Sequence, residues 1–418
     1  MRHLYNFSIQ FYLLAVHIAA IFKPKARRWL RGRKQLYKTL SLLKSNQQPL
    51  AWFHCASLGE FEQGRPVIEA FKKHQPEYKI LLTFFSPSGF EVRQNYEHAD
   101  FVCYLPADTP SKAKRFVTAA NPSMVIFVKY EYWHNFMHEI IQRRTPLFVL
   151  SANFRPEQYF FQWYGKRFLK NLEQVTHYFV QNQQSANLLK KNGINQVTVA
   201  GDTRFDRVMK IVNEVVLIPV IEAFVAGHHE VIIAGSSWPV DEDLLARLFH
   251  KNPAKFKLII APHEIHEAHL QSVEKLFPGI AIRYSQAEPA DLVQKQVLII
   301  DSIGMLSKLY RYGRYAYIGG GFGVGIHNVP EAAAYGIPVI FGPNYKRFQE
   351  AIDLIEIGGA FSINNFEQLQ MVFNDFEKNS STWQKSASAC RDYVQQKAGA
   401  TQKVMEFIAN FKSGSLKK

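Results

Sequence analysis

From about Pro49 the chain alternates short apolar runs with longer amphipathic or polar stretches, the rhythm of a parallel sheet with strands buried on both faces. Apolar runs at 50–55, 79–84, 101–105, 124–128, 146–151, 177–181 and 196–200 read as strands. A helical connection is expected over 208–227. A second alternation then begins at Glu230, with strands at 231–234, 257–261, 296–300, 314–318 and 338–341. Helices from about Asn365 close the chain. The pattern predicts an α/β protein of two Rossmann-like, doubly wound domains facing each other across a cleft. In such sheets ligands bind in the loops beyond the C-terminal strand ends. The expected divisions are an N-terminal segment over 1–40, domains over 41–210 and 211–390, and a C-terminal helix over 391–418.

The richest of those loops lies within 317–343, YIGGGFGVGIHNVPEAAAYGIPVIFGP. Five glycines follow the strand at 314–318, permitting positive φ and close approach of backbone N–H groups to a ligand. Asn328 is the expected N-cap of a short helix, Pro330 fits its first turn, and Gly336 stands where it should end. A helix start behind a glycine loop favours an anion, phosphate before metal. Glu331, in that first turn, is placed to accept hydrogen bonds from a ribose. A tight βα turn without a ligand is the alternative.

Composition narrows the setting. The 418 residues are 47% hydrophobic, enough for two separate cores. Three cysteines, none in a C-x-x-C pair, argue for a reducing compartment and against a disulfide framework or a thiolate metal site. A net charge of +15 calls for an anionic partner, and its location matters. Residues 4–22 are apolar and lack Asp, Glu, Lys and Arg, whereas 23–38 carry eight Lys or Arg and no acid. An apolar helix beside a basic run reads as an anchor at an anionic membrane with the domains on the cytoplasmic side. A buried N-terminal helix with a solvated basic face is the alternative. A cleaved signal peptide is not expected, and no nucleic-acid-binding module is recognisable.

Several loops carry candidate chemistry. The turn His54-Cys55-Ala56-Ser57-Leu58-Gly59-Glu60 puts Glu60 near a helix start, either as a general base or as an acid complementing the helix dipole. Lys129 to Asn135, KYEYWHN, sets Glu131 among aromatics, as in carbohydrate contacts or in ordinary packing. Gly201 to Asp206, GDTRFD, places Arg204 near the domain junction. Gly235-Ser236-Ser237 and Pro262-His263 end strands in the second half. Three motifs are set aside. The histidines of His263-Glu264-Ile265-His266-Glu267 are three apart, not the four of a zincin helix. Asp241-x-Asp243 falls where a helix begins after Pro239, so capping explains it. Gly321-x-Gly323-x-Gly325 lacks dinucleotide spacing. No metal and no cofactor are expected.

Taken in order, these loops resemble the 3-deoxy-D-manno-octulosonic acid (Kdo) transferases, membrane-associated GT-B glycosyltransferases of lipopolysaccharide core biosynthesis. The resemblance rests on S-x-G-E (Ser57–Glu60), Y-L-P-x-D (Tyr104–Asp108), E-x-W-x-N (Glu131–Asn135), the G-D-x-R-F-D turn, the Gly-Ser-Ser turn and G-x-H-N-x-x-E (Gly325–Glu331). It implies a cytidine monophosphate (CMP)-Kdo donor, a lipid A precursor such as lipid IVA as acceptor, and the cytoplasmic face of the inner membrane. It makes the first domain acceptor-binding and the second donor-binding. It further implies Glu60 as catalytic base, with Glu131 and Arg204 supporting the transition state. Pro262, His263, Ile303, Gly304, Met305, Asn328, Val329, Pro330 and Glu331 would contact the donor. Two positions depart from the common pattern. Arg204 replaces the usual Lys, keeping charge but changing hydrogen-bond geometry. His263 replaces the usual Arg, which would make that contact weaker or pH-dependent. The rival readings are another GT-B enzyme, whether a different lipid-directed transferase or a nucleotide-sugar epimerase, and a membrane-tethered binding protein without catalysis.

Overall fold

In the first sheet the strands are β1 (Leu50–Cys55), β2 (Lys79–Phe84), β3 (Phe101–Tyr104), β4 (Met124–Val128), β5 (Leu147–Ala152), β6 (His177–Val180) and β7 (Val197–Val199). Their order is β3-β2-β1-β4-β5-β6-β7, and every pairing is parallel. The computed structural model describes residues 2–252, 255–288 and 291–415. Both faces of this sheet are covered, so alternate residues feed different cores. Trp52 packs with Val125 and Phe127 on one side, and Phe53 with Ile126 and Phe148 on the other.

The second sheet contains β8 (Val231–Ser237), β9 (Lys257–Pro262), β10 (Ala281–Arg283), β11 (Val297–Ile299), β12 (Tyr315–Ile318), β13 (Val339–Phe341) and β14 (Ala360–Ser362). Again all are parallel, in the order β10-β11-β9-β8-β12-β13-β14. In each sheet the first strand lies inside, and the chain winds to one side and then to the other. The strand order therefore reverses at β1/β4 and at β8/β12, the two places where a crevice opens at the C-terminal strand ends.

The compact units are Met1–Asp206 with Gly399–Lys418, and Arg207–Ala398. The crossing after Asp206 comes slightly before the expected 210/211 division. The return falls at 399 rather than 391, because the helix Ser380–Lys397 buries Cys390 and Val394 within the second unit. The last helix, Ala400–Ser415, instead sends Ala400, Val404 and Ile408 into the first unit's core at helical spacing. Asp206 fastens this return, accepting from Gly399 N–H (2.5 Å), Thr401 N–H (2.6 Å) and the Thr401 hydroxyl (2.6 Å).

Ahead of the first sheet stand α1 (Arg2–Phe22), α2 (Pro24–Gly32) and α3 (Leu36–Lys44). Within α1, His3–Phe22 is long and apolar enough to cross a membrane. It is not uniform around its axis. Tyr5, Asn6, Ile9, Leu13 and Val16 are half-buried, whereas Leu4, Phe7, Phe11, Leu14, Ile18 and Ile21 form an exposed apolar stripe. The half-buried face is tied down by polar contacts: the Tyr5 hydroxyl donates to Asp108 Oδ2 (2.7 Å) and Asn135 Nδ2 donates to Asn6 Oδ1 (2.9 Å). At the other end, Arg27 donates to the carbonyls of Ala20 and Ile21, satisfying acceptors of the last turn.

Candidate active site

Glu60 and Glu131 leave the C-terminal ends of β1 and β4, which flank the first unit's switch point. Ser57 caps the helix Leu58–His74, its Oγ accepting from Gly59 N–H (3.2 Å). Glu60 Oε2 turns back to accept from Ser57 N–H (3.1 Å) and from the Ser57 hydroxyl. This is a capping box, so the helix-start reading of Glu60 holds for one carboxylate oxygen. Oε1 accepts no hydrogen bond among the described residues, leaving an acceptor open at the crevice. Glu131 is buried, with Oε2 bonded to Trp133 Nε1–H (2.5 Å) and His54 Nε2 (3.1 Å). On its other side, the His54 ring lies 2.8 Å from Thr83 Oγ1, which also accepts from Trp52 Nε1–H (2.8 Å). Glu131 is thus oriented by a buried chain of polar groups running through β1 and β2.

Arg204 is held by its own turn. Asp202 Oδ2 receives Nε (2.9 Å) and Nη2 (2.7 Å) of Arg204, while Oδ1 receives the Arg204 backbone N–H (2.9 Å). Thr203 anchors the turn from below by hydrogen bonds with the Gln63 carbonyl and Ser151 Oγ. The three residues expected to be catalytic share neighbours. Burial foremost, then the charges of Glu60 and Glu131, push the Cys55 thiol up. The Tyr130 phenol, raised chiefly by burial, also feels Arg155, Glu60, Arg204 and Asp202. Lys129, between β4 and Tyr130, has φ +71°, a left-handed backbone that aims the loop at this cluster.

The second unit repeats the plan. Gly319 sits so close to β8 that a Cβ there would lie 2.2 Å from the Ser236 carbonyl oxygen, and Gly320 follows with φ +87°. Asp241 braces this turn, accepting from Gly320 N–H (2.9 Å), the Tyr317 hydroxyl (2.9 Å) and Trp238 N–H (3.0 Å). Its expected capping role is therefore met, together with one unforeseen, support of the glycine loop. Trp238, His263 and His327 stack in series, with ring centroids 4.8 Å and 4.5 Å apart. Burial and then the neighbouring His263 hold the His327 imidazole below its usual pKa. Asn328 occupies the N-cap position of the helix Val329–Ala333. Instead of capping it, the Asn328 side chain donates to Glu331 Oε1 (2.6 Å). Pro262 ends β9, and His263 just beyond it is the middle ring of this stack. Ile303, 88% exposed, Gly304 (φ +94°) and Met305 form a separate loop beyond β11, with no ring contact or hydrogen bond to the stack among the described residues.

Sequence reasoning missed His54, Asp202, Trp238 and His327 as parts of these sites. A histidine inside the apolar strand L-A-W-F-H-C was a usable signal, since a buried imidazole needs partners. Asp202, two residues before Arg204, was another.

Residues 28–207 match a family model described as 3-deoxy-D-manno-octulosonic-acid transferase (kdotransferase). The 3-deoxy-D-manno-octulosonic acid transferase of Aquifex aeolicus is 28% identical over 76% of this chain and 83% of its own length. That of Haemophilus influenzae is 23% identical over 95% of this chain and 94% of its own. In structure, UDP-GlcNAc 2-epimerase from Neisseria meningitidis superposes with a TM-score of 0.62 at 16% identity, over 86% of this chain and 99% of that one, a likeness of fold. Two Rossmann-like units, each with polar groups gathered at its switch point, give the GT-B fold, and the family model and curated relatives make the class a glycosyltransferase. Within that class, residues 28–207 carry the 3-deoxy-D-manno-octulosonic acid transferase domain, and the chain is similar to curated transferases of that kind over most of its length.

Proposed function

We propose that the protein transfers Kdo from CMP-Kdo to a lipid A precursor, with inversion at the anomeric carbon. The observation that carries this reading is the cluster at the first unit's switch point. One oxygen of Glu60 is anchored while the other is open, and Arg204, gripped by Asp202, acts with Glu60 on the same neighbour, Tyr130. In this reading Glu60 Oε1 takes the proton of the acceptor hydroxyl as its oxygen bonds to the anomeric carbon. The bond from that carbon to the phosphate oxygen breaks, and CMP leaves with the electron pair. Arg204 and the braced Glu131 support the developing charges without a metal. The second unit binds the nucleotide: Asn328 to Glu331 and the glycine turn serve ribose and phosphate, while the Trp238–His263–His327 stack offers a ring face to the base.

In this reading the acceptor's acyl chains keep the reaction at the inner membrane, and the basic run after α1 supports the cytoplasmic side. The exposed stripe of α1 and the eight Lys or Arg of 23–38 support attachment to an anionic surface. Deleting residues 2–22 should release much of the protein from membranes in high salt. Equal fractionation of truncated and full-length chains would remove α1 from this role.

The test of function is incubation with CMP-Kdo and tetraacylated lipid A precursor, followed by mass analysis of the glycolipid. A mass increase of one or more Kdo units is expected. Turnover of a UDP-sugar instead, or no product with any donor, would overturn the reading.

A further inference from the structure

Behind α1 lies a cavity of about 210 Å³ that the reaction scheme does not use. Its walls are apolar: Leu13 of α1, Leu30 of α2, Leu36 and Leu40 of α3, and Phe116. For scale, an apolar cavity of ~150 Å³ accepts a benzene-sized guest. This one has room for a longer hydrocarbon segment.

The polar groups around it are unusual for a core void. Trp29 is 6% exposed and lines the cavity, yet its indole N–H has no hydrogen-bond partner. Over the Trp29 ring, at 3.4 Å from its centroid, lies the Arg33 guanidinium. Arg33 donates to the carbonyls of Trp29, Phe85 and Leu105, which occupies three of the five N–H groups an arginine carries. No carboxylate forms a salt bridge with it among the described residues. Burial accordingly lowers its pKa, to about 9. Lys112 and Arg115, on the helix Pro110–Ala120, complete a cationic lining on the same cavity. Apolar walls, an orphan donor and an arginine lacking a carboxylate partner together describe a receptor for an acylated anion.

We propose that this cavity receives one acyl chain of the phosphorylated glycolipid acceptor. Its polar oxygens meet Trp29 Nε1–H and Arg33, and its phosphate charge is met by Lys112 and Arg115. The inference deepens the function proposed above and rests on it for the identity of the acceptor. Position favours this occupant: Leu13 and His17 of α1 form one wall, so a chain leaving the surface that α1's apolar stripe contacts reaches the cavity directly.

The test uses the full-length protein and two variants. Leu13→Trp fills the cavity from a half-buried position, and Trp29→Phe removes the orphan donor while keeping a ring. With tetraacylated acceptor, each should raise the acceptor KM about tenfold or more, the usual consequence of losing a well-placed partner. With the same acceptor stripped of its acyl chains, wild type and variants should have equal KM. Native mass spectrometry should find one tetraacylated acceptor retained per wild-type chain and less on Leu13→Trp. Unchanged KM in both folded variants would overturn the proposal, as would retention of phosphatidylglycerol equal to that of the acceptor. Absence of Kdo transfer by the wild type would instead sink the functional reading, and acceptor retention would still judge the cavity.

Discussion

Glu60 has two structural demands on it, and a pair of substitutions separates them. Its Oε2 closes the capping box with Ser57, while Oε1 is the oxygen available to remove a proton. Glutamine closes such a box as glutamate does. Glu60→Gln should therefore change stability by less than about 0.5 kcal/mol, as surface substitutions do. It lacks the basicity of a carboxylate, so turnover should fall about 10²–10⁴-fold, or roughly 2.7–5.4 kcal/mol in the barrier. Ser57→Ala does the converse. It removes the side-chain cap at a cost of about 0.5–2 kcal/mol. At about 2–4 °C per kcal/mol for a unit of this size, Tm should drop by about 1–8 °C. Its turnover should stay within about tenfold, less than a general base contributes. The assay is Kdo transfer followed by mass spectrometry, with Tm and CMP affinity measured on the same preparations. Glu60→Gln turning over within about tenfold of wild type, while binding CMP normally, would refute the base assignment and leave Glu60 a capping residue.

Three further predictions test the surroundings. Asp202→Asn removes the anion that grips Arg204 through Nε and Nη2, so kcat/KM should fall about 10–150-fold for a loss of ~1.5–3 kcal/mol. An unchanged kcat/KM would mean that Arg204 needs no such support. Burial, against hydrogen bonds from Tyr5, Asn135 and Phe136, raises the Asp108 carboxyl from 3.8 to about 6. With the folded pKa above the unfolded one, its protonation stabilises the fold fully below about pH 3.8 and loses effect as pH rises through about 6, by on the order of 3 kcal/mol. Urea midpoints should reveal that decline in wild type and a flatter profile in Asp108→Asn; parallel profiles would contradict it. Glu331→Ala should weaken CMP binding by about 1–3 kcal/mol in calorimetry, with or without chelator, and an unaltered affinity would move the ribose contact elsewhere.

How far the sequence could be read depended on how local each signal was. Buried strands of four to seven residues were legible from apolar runs alone, as with β1 and β4, because both faces of a parallel sheet demand hydrophobic residues. β10 and β14 were not anticipated. Three residues, Ala281–Arg283 and Ala360–Ser362, are too few to show a period, and as edge strands they are paired on one side only. Ends of the loops were legible to within a few residues: the helix stops at Ala333, and Gly336, three residues on, turns the chain at φ +67°. What escaped was partnership across the sheet. Nothing in the order of residues says that His54 meets Glu131, 77 positions away, or that Asp108 grips the backbone N–H groups of Asn135 and Phe136. Yet those pairings explain why the motifs have their shapes. The aspartate of Y-L-P-x-D and the asparagine of E-x-W-x-N are one contact, and the first two residues of the latter that matter, Glu131 and Trp133, are another. A motif read singly gives a list of candidate chemistries. Read as two halves of one hydrogen-bonded frame, the same residues specify which groups are braced and which are left with an open oxygen at a crevice, and the second kind is where a reaction can occur.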